Sequence, residues 1–292
     1  MVYEPPAGRA VSDWRIEQLH DDFQLGLKAD TVHYDSETAH QRLVVFENET
    51  FGRVLTLDSV VQTTEKDEFI YHEMLAHLPI LAHGAARKVL IIGGGDGGML
   101  EEVLKHRGVE KVTQVEIDAG VIDFSKRYLS SICKDAYDDP RLDLVIADGA
   151  DFVASCAERY DVAIVDSTDP IGPGEVLFTD TFYGKAKNCL AAGGILVTQN
   201  GVPFLQSDEL VNTMRAFRAL FADAACYLAT VPTYAGGPMA FGWGSDDPAK
   251  RQVSLETLEQ RFRGSGVATR YYNPAVHLAA FALPTYIAEM VG

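Results

Sequence analysis

The stretch that most constrains this chain is Val89–Gly98, VLIIGGGDGG. Four apolar residues run straight into Gly93, Gly94 and Gly95. Asp96 follows, and Gly97 and Gly98 open a helical pattern carried by Met99, Leu100, Val103 and Leu104. A buried strand that turns on glycines into a helix brings bare backbone and unpaired helix-start N–H groups against a ligand. That arrangement belongs to a doubly wound sheet and points to a nucleoside-type ligand, leaving the chemistry open. An aspartate inside the glycine run is the unusual part.

The remainder of the chain agrees with such a sheet. From Arg87 onward, strand patterns at Lys88–Gly93, Lys111–Ile117, Leu142–Ala147, Asp161–Asp166 and Gly194–Gln199 alternate with helical patterns at Gly98–Lys105, Ala119–Leu129, Ala150–Ala157 and Asp180–Leu190. This βαβ alternation predicts parallel strands with helices on both faces. A long helix is expected over Ser207–Phe221. Two apolar runs, Ala225–Val231 and Met239–Trp243, are spaced as an antiparallel pair closing one edge, and a helix at Leu255–Phe262 and one apolar segment at His277–Met290 end the chain.

Ahead of that block, Leu25–Leu27, Thr31–Tyr34, Arg42–Phe46 and Val54–Val61 read as short strands of a small antiparallel sheet. Residues 1–16, with Pro5, Pro6 and Gly8, read as a loose extension. Ile70, Met74 and Leu78 repeat at helical spacing; Thr64 and Asp67 suggest a capping box, and Pro79 a kink or an end. The expected fold class is α/β: a Rossmann-like, methyltransferase-type doubly wound sheet over residues 73–292. An antiparallel hairpin lies at one edge, and a small N-terminal β-sheet domain over 1–72 precedes it.

Charge narrows the partners. The 292 residues carry 25 Lys and Arg against 42 Asp and Glu, a net charge of −17. That argues against nucleic acid and against an anionic membrane surface, and favours cationic ligands. No apolar run approaches the ~18 residues of a membrane span, and the N-terminal stretch does not have the pattern of a secretory signal. Cys133, Cys156, Cys189 and Cys226 form no C-x-x-C pair or metal-type cluster, so they read as free thiols in a reducing compartment and the chain as cytoplasmic.

Ligands of doubly wound sheets bind at the carboxyl ends of the strands. There the chain places Asp96, Glu116 with Asp118, Asp148-Gly149, Asp166-Ser167-Thr168-Asp169-Pro170 and Gln199-Asn200. Glu116, about 20 residues beyond the glycine loop, suits ribose hydroxyls. Asp148 suits a nucleobase amino group, with Gly149 allowing close approach. The Asp166–Gly174 segment, DSTDPIGPG, reads as a stiff, extended loop over the rim, of the kind that forms lids. Its two aspartates could hold one ammonium.

Together these motifs resemble the spermidine synthases, the polyamine aminopropyltransferases, in their bacterial form. The likeness runs from about Trp14 to the C-terminus through GRVLTLDSVVQTTEKDEFIYHEML, VLIIGGGDGG, VEIDAGV, DSTDPIGPG, QNGVPF, PTYAGG and RYYNPAVH. It implies transfer of the aminopropyl group of decarboxylated S-adenosylmethionine to putrescine, giving spermidine and 5'-methylthioadenosine. Decarboxylated S-adenosylmethionine is then a co-substrate, and neither a cofactor nor a metal is expected. The resemblance also implies Gln41, Gly93, Gly95, Glu116, Asp148, Gly149 and Pro173 on the donor-nucleoside side. It puts Gln62, Tyr71, His72, Asp96, Asp166, Ser167, Thr168, Asp169 and Tyr234 on the amine side, with Asp166 as proton acceptor, and implies a homodimer or homotetramer. His72 rests on the resemblance alone, since a lone histidine on a helix face ordinarily reads as structural.

One physical difficulty stands out. An alkyl ammonium loses its proton near pH 10.4 and an ordinary aspartate near 3.9, so direct transfer is uphill by roughly 6.5 units, about 9 kcal/mol. Burial must raise the aspartate and lower the amine. Asp96 fits the same chemistry: it repels a carboxylate and attracts an ammonium, which favours the decarboxylated donor over its parent. The competing expectations are an S-adenosylmethionine-dependent amine N-methyltransferase on the same fold, a nicotinamide dehydrogenase, and a non-catalytic polyamine-binding protein. One methylene is worth only ~1–3 kcal/mol of discrimination, so the acceptor stays open between putrescine, cadaverine and longer amines.

Overall fold

A computed structural model describes residues 13–38, 40–170 and 172–292; the side chains of 172 and 173 lie outside the described set. Its contacts divide the chain into two compact units, one ending at Asp67 and the other beginning at Glu68. The division falls ahead of the expected 72/73 because Glu68–His83 is one continuous helix (α1) and cannot be shared between units.

The N-terminal unit holds two sheets rather than one. β1 (Trp14–His20) and β2 (Phe23–Lys28) form an antiparallel pair. β3 (Thr31–Glu37), β4 (Arg42–Asn48), β5 (Gly52–Leu57) and β6 (Val60–Thr64) follow as a four-stranded antiparallel meander. The expected extension over residues 1–16 is corrected at its end, since Trp14, Arg15 and Ile16 pair with β2; residues 1–12 lie outside the described residues. Val54–Val61 is a hairpin rather than a single strand. Asp58 and Ser59 both adopt left-handed backbone (φ 48° and 72°), the geometry of a tight primed turn. Val44, Phe46, Val54 and Val61 form the core of this unit. Thr64 does not cap a helix; it ends β6, and its hydroxyl donates to the Asp67 carboxylate at 2.6 Å.

The second unit is the doubly wound sheet. Its strands are β7 (Lys88–Gly93), β8 (Lys111–Glu116), β9 (Leu142–Ile146), β10 (Tyr160–Asp166), β11 (Leu190–Gln199), β12 (Asp223–Ala229) and β13 (Met239–Ser245). They lie in the order β12-β13-β11-β10-β7-β8-β9, with β7 to β11 parallel, β13 antiparallel to β11, and β12 antiparallel to β13. The chain moves outward from β7 through β8 to β9 and then returns to lay β10 on the other side of β7. The order therefore reverses between β7 and β10, and the crevice at such a reversal is where these sheets bind ligands.

Period-two alternation fills both faces. Val89, Ile91, Val162, Ile164, Ile195 and Val197 face α1 in one buried cluster. Leu90, Ile92, Ala163, Val165 and Leu196 face Phe182, Tyr183 and Phe217 in another. The intervening helices are α2 (Gly98–Leu104), α3 (Ala119–Tyr128), α4 (Ser130–Cys133), α5 (Gly149–Ser155), α6 (Asp180–Asn188) and α7 (Ser207–Leu220), and α8 (Leu255–Ser265) follows the sheet.

Three expectations need correction here. Pro79 does not end α1, which continues to His83. The rim segment after Asp166 is not extended throughout, because its backbone winds into a short 3₁₀ helix over Gly172–Phe178. The final apolar segment is two short helices, α9 (Pro274–Ala280) and α10 (Thr285–Val291), bent by 59° at a break that contains Pro284. Among the described residues no single helix is long and apolar enough to cross a membrane.

The C-terminal segment is tied to the core through one buried acid. Glu73 of α1 is 1% exposed, and its carboxylate accepts from the backbone N–H groups of Arg270, Tyr271 and Tyr272 at 2.7–2.8 Å. We expect Glu73→Gln to cost about 1–3 kcal/mol, because an amide oxygen cannot replace both charged acceptors. Urea denaturation measures the loss, and hydrogen exchange shows it concentrated at the amides of residues 270–272.

Candidate active site

At the reversal point, register brings the expected residues to one level. Asp166 pairs with Gly93, and Gly94 N–H donates to the Asp166 carbonyl at 2.9 Å. On the next strand Ile92 pairs with Val115, which puts Glu116 at the same rim. The glycine loop is pinned from beneath by two residues that sequence reasoning passed over. Gln114 Nε2 donates to the carbonyls of Gly93 (3.0 Å) and Gly94 (2.8 Å), and Tyr137 OH donates to that of Gly95 (2.9 Å). A glutamine inside the apolar run of β8 is the one sequence sign that could have marked the first; nothing in the pattern marks the second.

Two side chains lie close against this loop. A Cβ on Gly94 would sit 2.9 Å from Asp166 Oδ2, and one on Gly98 would sit 2.3 Å from the His72 ring. Both glycines therefore permit this close approach, and a Cβ at either would force the neighbouring side chain to shift. Asp166 is half-buried, and its Oδ1 accepts from Tyr71 OH at 2.7 Å. Burial and the neighbouring Asp96 charge push its carboxyl up to about 6, against the opposing pull of His72 and the Tyr71 hydrogen bond. Tyr71 is held well above the usual phenol range by its own burial and by Asp166. Its ring packs edge-on to His72 (5.4 Å between centroids) and to Tyr234 (6.0 Å).

Asp96 is fixed from two sides. Gly98 N–H donates to Oδ1 at 2.9 Å, and His72 Nε2 lies 3.4 Å from Oδ2. Ligand atoms of His72, Asp96 and Asp166 all fall within 4.8 Å of one another, so a positive charge would suit the cluster. A metal ion suits it less well than an ammonium. The second His72 nitrogen is engaged by Glu68 at 2.7 Å, and the imidazole titrates well above its usual range, which leaves it protonated with no lone pair to offer.

The nucleoside side is equally built. Glu116 Oε1 accepts from Asp118 N–H at 3.0 Å, while Oε2 faces the bare backbone of Gly95, 2.8 Å from where a Cβ would lie. Burial raises the Glu116 carboxyl to about 7. Asp148 caps α5, accepting at Oδ1 from the N–H groups of Ala150 (2.7 Å) and Asp151 (3.4 Å), so this side chain has a structural task that sequence did not assign. The close approach at Gly149 is to Ile92 Cγ2, 2.5 Å from a Cβ there, which makes this glycine a packing requirement.

Further along the rim, Gln199 Nε2 donates to the Ser167 carbonyl (3.2 Å) and its Oε1 accepts from Gly201 N–H (2.8 Å), joining the ends of β10 and β11. Thr168 Oγ1 contacts the Asp169 carbonyl at 3.3 Å, and the Asp169 charge helps burial raise Glu209 of α7 to about 8. Tyr71, His72, Asp96 and Asp166 are thus brought together, with Tyr234 against Tyr71. Gln41 and Gln62 belong to the N-terminal unit, Gln41 directly before β4 and Gln62 in β6 with its Nε2 donating to the Val60 carbonyl at 3.2 Å. The Pro173 side chain lies outside the described residues. Trp243 is core: it is fully buried and donates to Asp223 at 3.0 Å.

Known proteins carry the same organisation. Residues 68–255 match the spermine/spermidine synthase domain family, and residues 14–65 match the spermidine synthase tetramerisation domain. The chain is 66% identical to a polyamine aminopropyltransferase of Ruegeria sp., covering 95% of this chain and 98% of that one. It is 57% identical to polyamine aminopropyltransferase 1 of Pseudomonas aeruginosa, covering 97% and 98%. Among solved structures, a spermidine synthase in complex with the transition-state analogue AdoDATO superposes with a TM-score of 0.91 at 36% identity, covering 99% of this chain and 98% of that one. The Thermotoga maritima spermidine synthase gives 0.89 at 37%, covering 95% and 94%. On this sequence identity, carried over nearly the whole length, the chain belongs to the spermine/spermidine synthase family.

Proposed function

We propose that this chain is a polyamine aminopropyltransferase that moves the aminopropyl group of decarboxylated S-adenosylmethionine onto putrescine, releasing spermidine and 5'-methylthioadenosine. The observation that carries the reading is the pairing of Asp166, bonded to Tyr71, with Asp96, bonded to His72, at the strand-order reversal. Two carboxylates placed there suit the donor's ammonium and an acceptor amine that attacks in its neutral form and turns cationic as the C–N bond forms. Family membership supports the reaction class.

In this reading the donor nucleoside lies over the glycine loop, with Gly93 and Gly95 leaving room for it. Glu116 accepts from the ribose hydroxyls through Oε2, and Asp148 and Gly149 complete that side. Asp96 takes the ammonium of the aminopropyl chain. The acceptor amine sits on Asp166, steadied by Tyr71, Tyr234, Asp169 and the Ser167-Thr168 backbone. Its nitrogen lone pair attacks the methylene bonded to the sulfonium. The new C–N bond forms as the C–S bond breaks, the electron pair goes to sulfur, and the proton leaves nitrogen for the Asp166 carboxylate. Because the sulfonium is already a good leaving group, positioning accounts for most of the catalysis.

Burial eases the proton transfer. With Asp166 raised to about 6, the difference from a free alkyl ammonium falls to about 4 units, or about 6 kcal/mol. Desolvation of the amine in the same site narrows it further, since burial disfavours its charged form. The N-terminal unit, matching a tetramerisation domain, supports assembly into a homodimer or homotetramer, which sedimentation would read directly.

Supplying the two donors separately with a panel of diamines tests the reaction. Methylthioadenosine from the decarboxylated donor is the expected product; S-adenosylhomocysteine from the parent donor would establish a methyltransferase instead. Asp96→Asn is expected to raise the KM for the decarboxylated donor and to relax exclusion of the parent; unchanged values would remove the assigned role. Asp166→Asn should lower kcat by about 10²–10⁴-fold, as loss of a proton acceptor does. In the wild type, Asp166 must be ionised to receive the proton, so kcat/KM should fall as pH drops through about 6, the value to which burial raises this carboxyl. A profile flat from pH 7.5 to 5 would count against Asp166.

A further inference from the structure

α1 carries an acid that the proposed reaction does not use. Glu68 opens the helix and sits four residues ahead of His72, its Oε2 2.7 Å from His72 Nδ1. The other ring nitrogen, Nε2, faces Asp96 Oδ2 at 3.4 Å. Side-chain exposure is 15% for Glu68, 3% for His72 and 13% for Asp96, so solvent screens these charges little. The groups that face the imidazole are Glu68 and the edge-on Tyr71 ring from α1, Asp96 and the Gly98 backbone from the glycine loop, and Asp166 from β10.

Burial alone would keep this imidazole neutral, but the Asp96 and Glu68 carboxylates override it. His77, on the same helix, shows the contrast. It too is buried, and its Nε2 lies 3.0 Å from Glu102, yet Lys105 shares that carboxylate at 2.7 Å, and burial drives His77 down to about 3. His72 is therefore a cation set between two acids. Left with Asp96 alone, it would cancel much of the charge that Asp96 directs at a ligand, because buried charges at this separation interact strongly.

We propose that Glu68 is a positioning residue for the donor: it orients His72 onto Asp96 and balances the imidazolium, so that Asp96 keeps the negative charge with which it takes the donor ammonium. This rests on the role given to Asp96 above. Removing Glu68 leaves His72 either an uncompensated cation beside Asp96 or a neutral ring with a weaker hold on it. At a pH well above the range in which Asp166 titrates, where that carboxylate stays ionised whatever the charge of His72, both outcomes weaken the donor rather than the acceptor.

The test compares Glu68→Gln with the wild type by steady-state kinetics for both substrates and by NMR titration of the His72 ring, assigned with His72→Gln. His72 should titrate lower by about one pH unit or more. At about pH 8.5, where Asp166 stays ionised with or without the His72 charge, the donor KM should rise about tenfold, with kcat and the acceptor KM within about twofold. In a His72→Gln background, Glu68→Gln should change the donor KM no further. Glu68→Asp, which keeps the charge on a shorter stem, should hold the His72 titration raised and give a donor KM between those of wild type and Glu68→Gln. An unmoved titration, a loss carried by kcat, additive effects in the His72→Gln background, or a Glu68→Asp donor KM no better than that of Glu68→Gln would overturn the proposal. If Asp96→Asn left the donor KM unchanged, the donor reading would fall, and the titration would still decide the Glu68–His72 pairing separately.

Discussion

The site depends on a single close approach, that of the Asp166 carboxylate to Gly94. The backbone bond from Gly94 to the Asp166 carbonyl aligns the ends of β7 and β10, and the missing side chain leaves room for Oδ2. Any side chain at this position would have to displace the carboxylate or part the two strands. With the contact made, Asp166 reaches Tyr71 on α1, the glycine loop curves so that Asp96 meets His72, and Glu116 arrives from the adjoining strand. The chemistry of the rim is thus largely an outcome of sheet register, because Glu116 and Asp166 are the residues at which β8 and β10 stop and Asp96 lies in the loop that follows β7.

The carboxylates at the centre are not independent acids. Burial raises Asp166 and Glu116, and a charged His72 offsets part of that rise for Asp166. For the proposed binding of cations this is a useful compromise. A fully ionised set of buried acids would repel itself when empty, and a fully protonated set would hold no ammonium.

Much of the second unit was legible because its signals are local. Short apolar runs ending in glycine or acid mark β7, β8 and β10, and their order already implies a ligand at the carboxyl rim. The strand-end acids Asp96, Glu116 and Asp166 were identified by position alone. What sequence concealed depends on contacts between distant segments. Gln114 and Tyr137 hold the glycine loop through carbonyls that no pattern exposes, Glu73 caps a turn nearly two hundred residues away, and Glu68 looks like any acid at a helix start. Asp148 shows the reverse case: an acid chosen for chemistry also performs an ordinary helix-capping task. The short 3₁₀ helix after Asp166 escaped notice because its prolines and glycines are equally compatible with an extended loop.

The strand-order reversal has a consequence for how this protein comes into being. Its two halves, the glycine loop after β7 and the carboxylate at the end of β10, are separated in the chain by both outer strands on one side of the sheet. No fragment that stops short of β10 contains both halves of the site, and the long-range pairing of β7 with β10 is among the costlier contacts to form. Ligand affinity therefore appears only once the centre of the sheet is assembled. A nucleoside seated across that pair acts as a fastener on the whole second unit, raising its resistance to unfolding in proportion to the logarithm of ligand concentration.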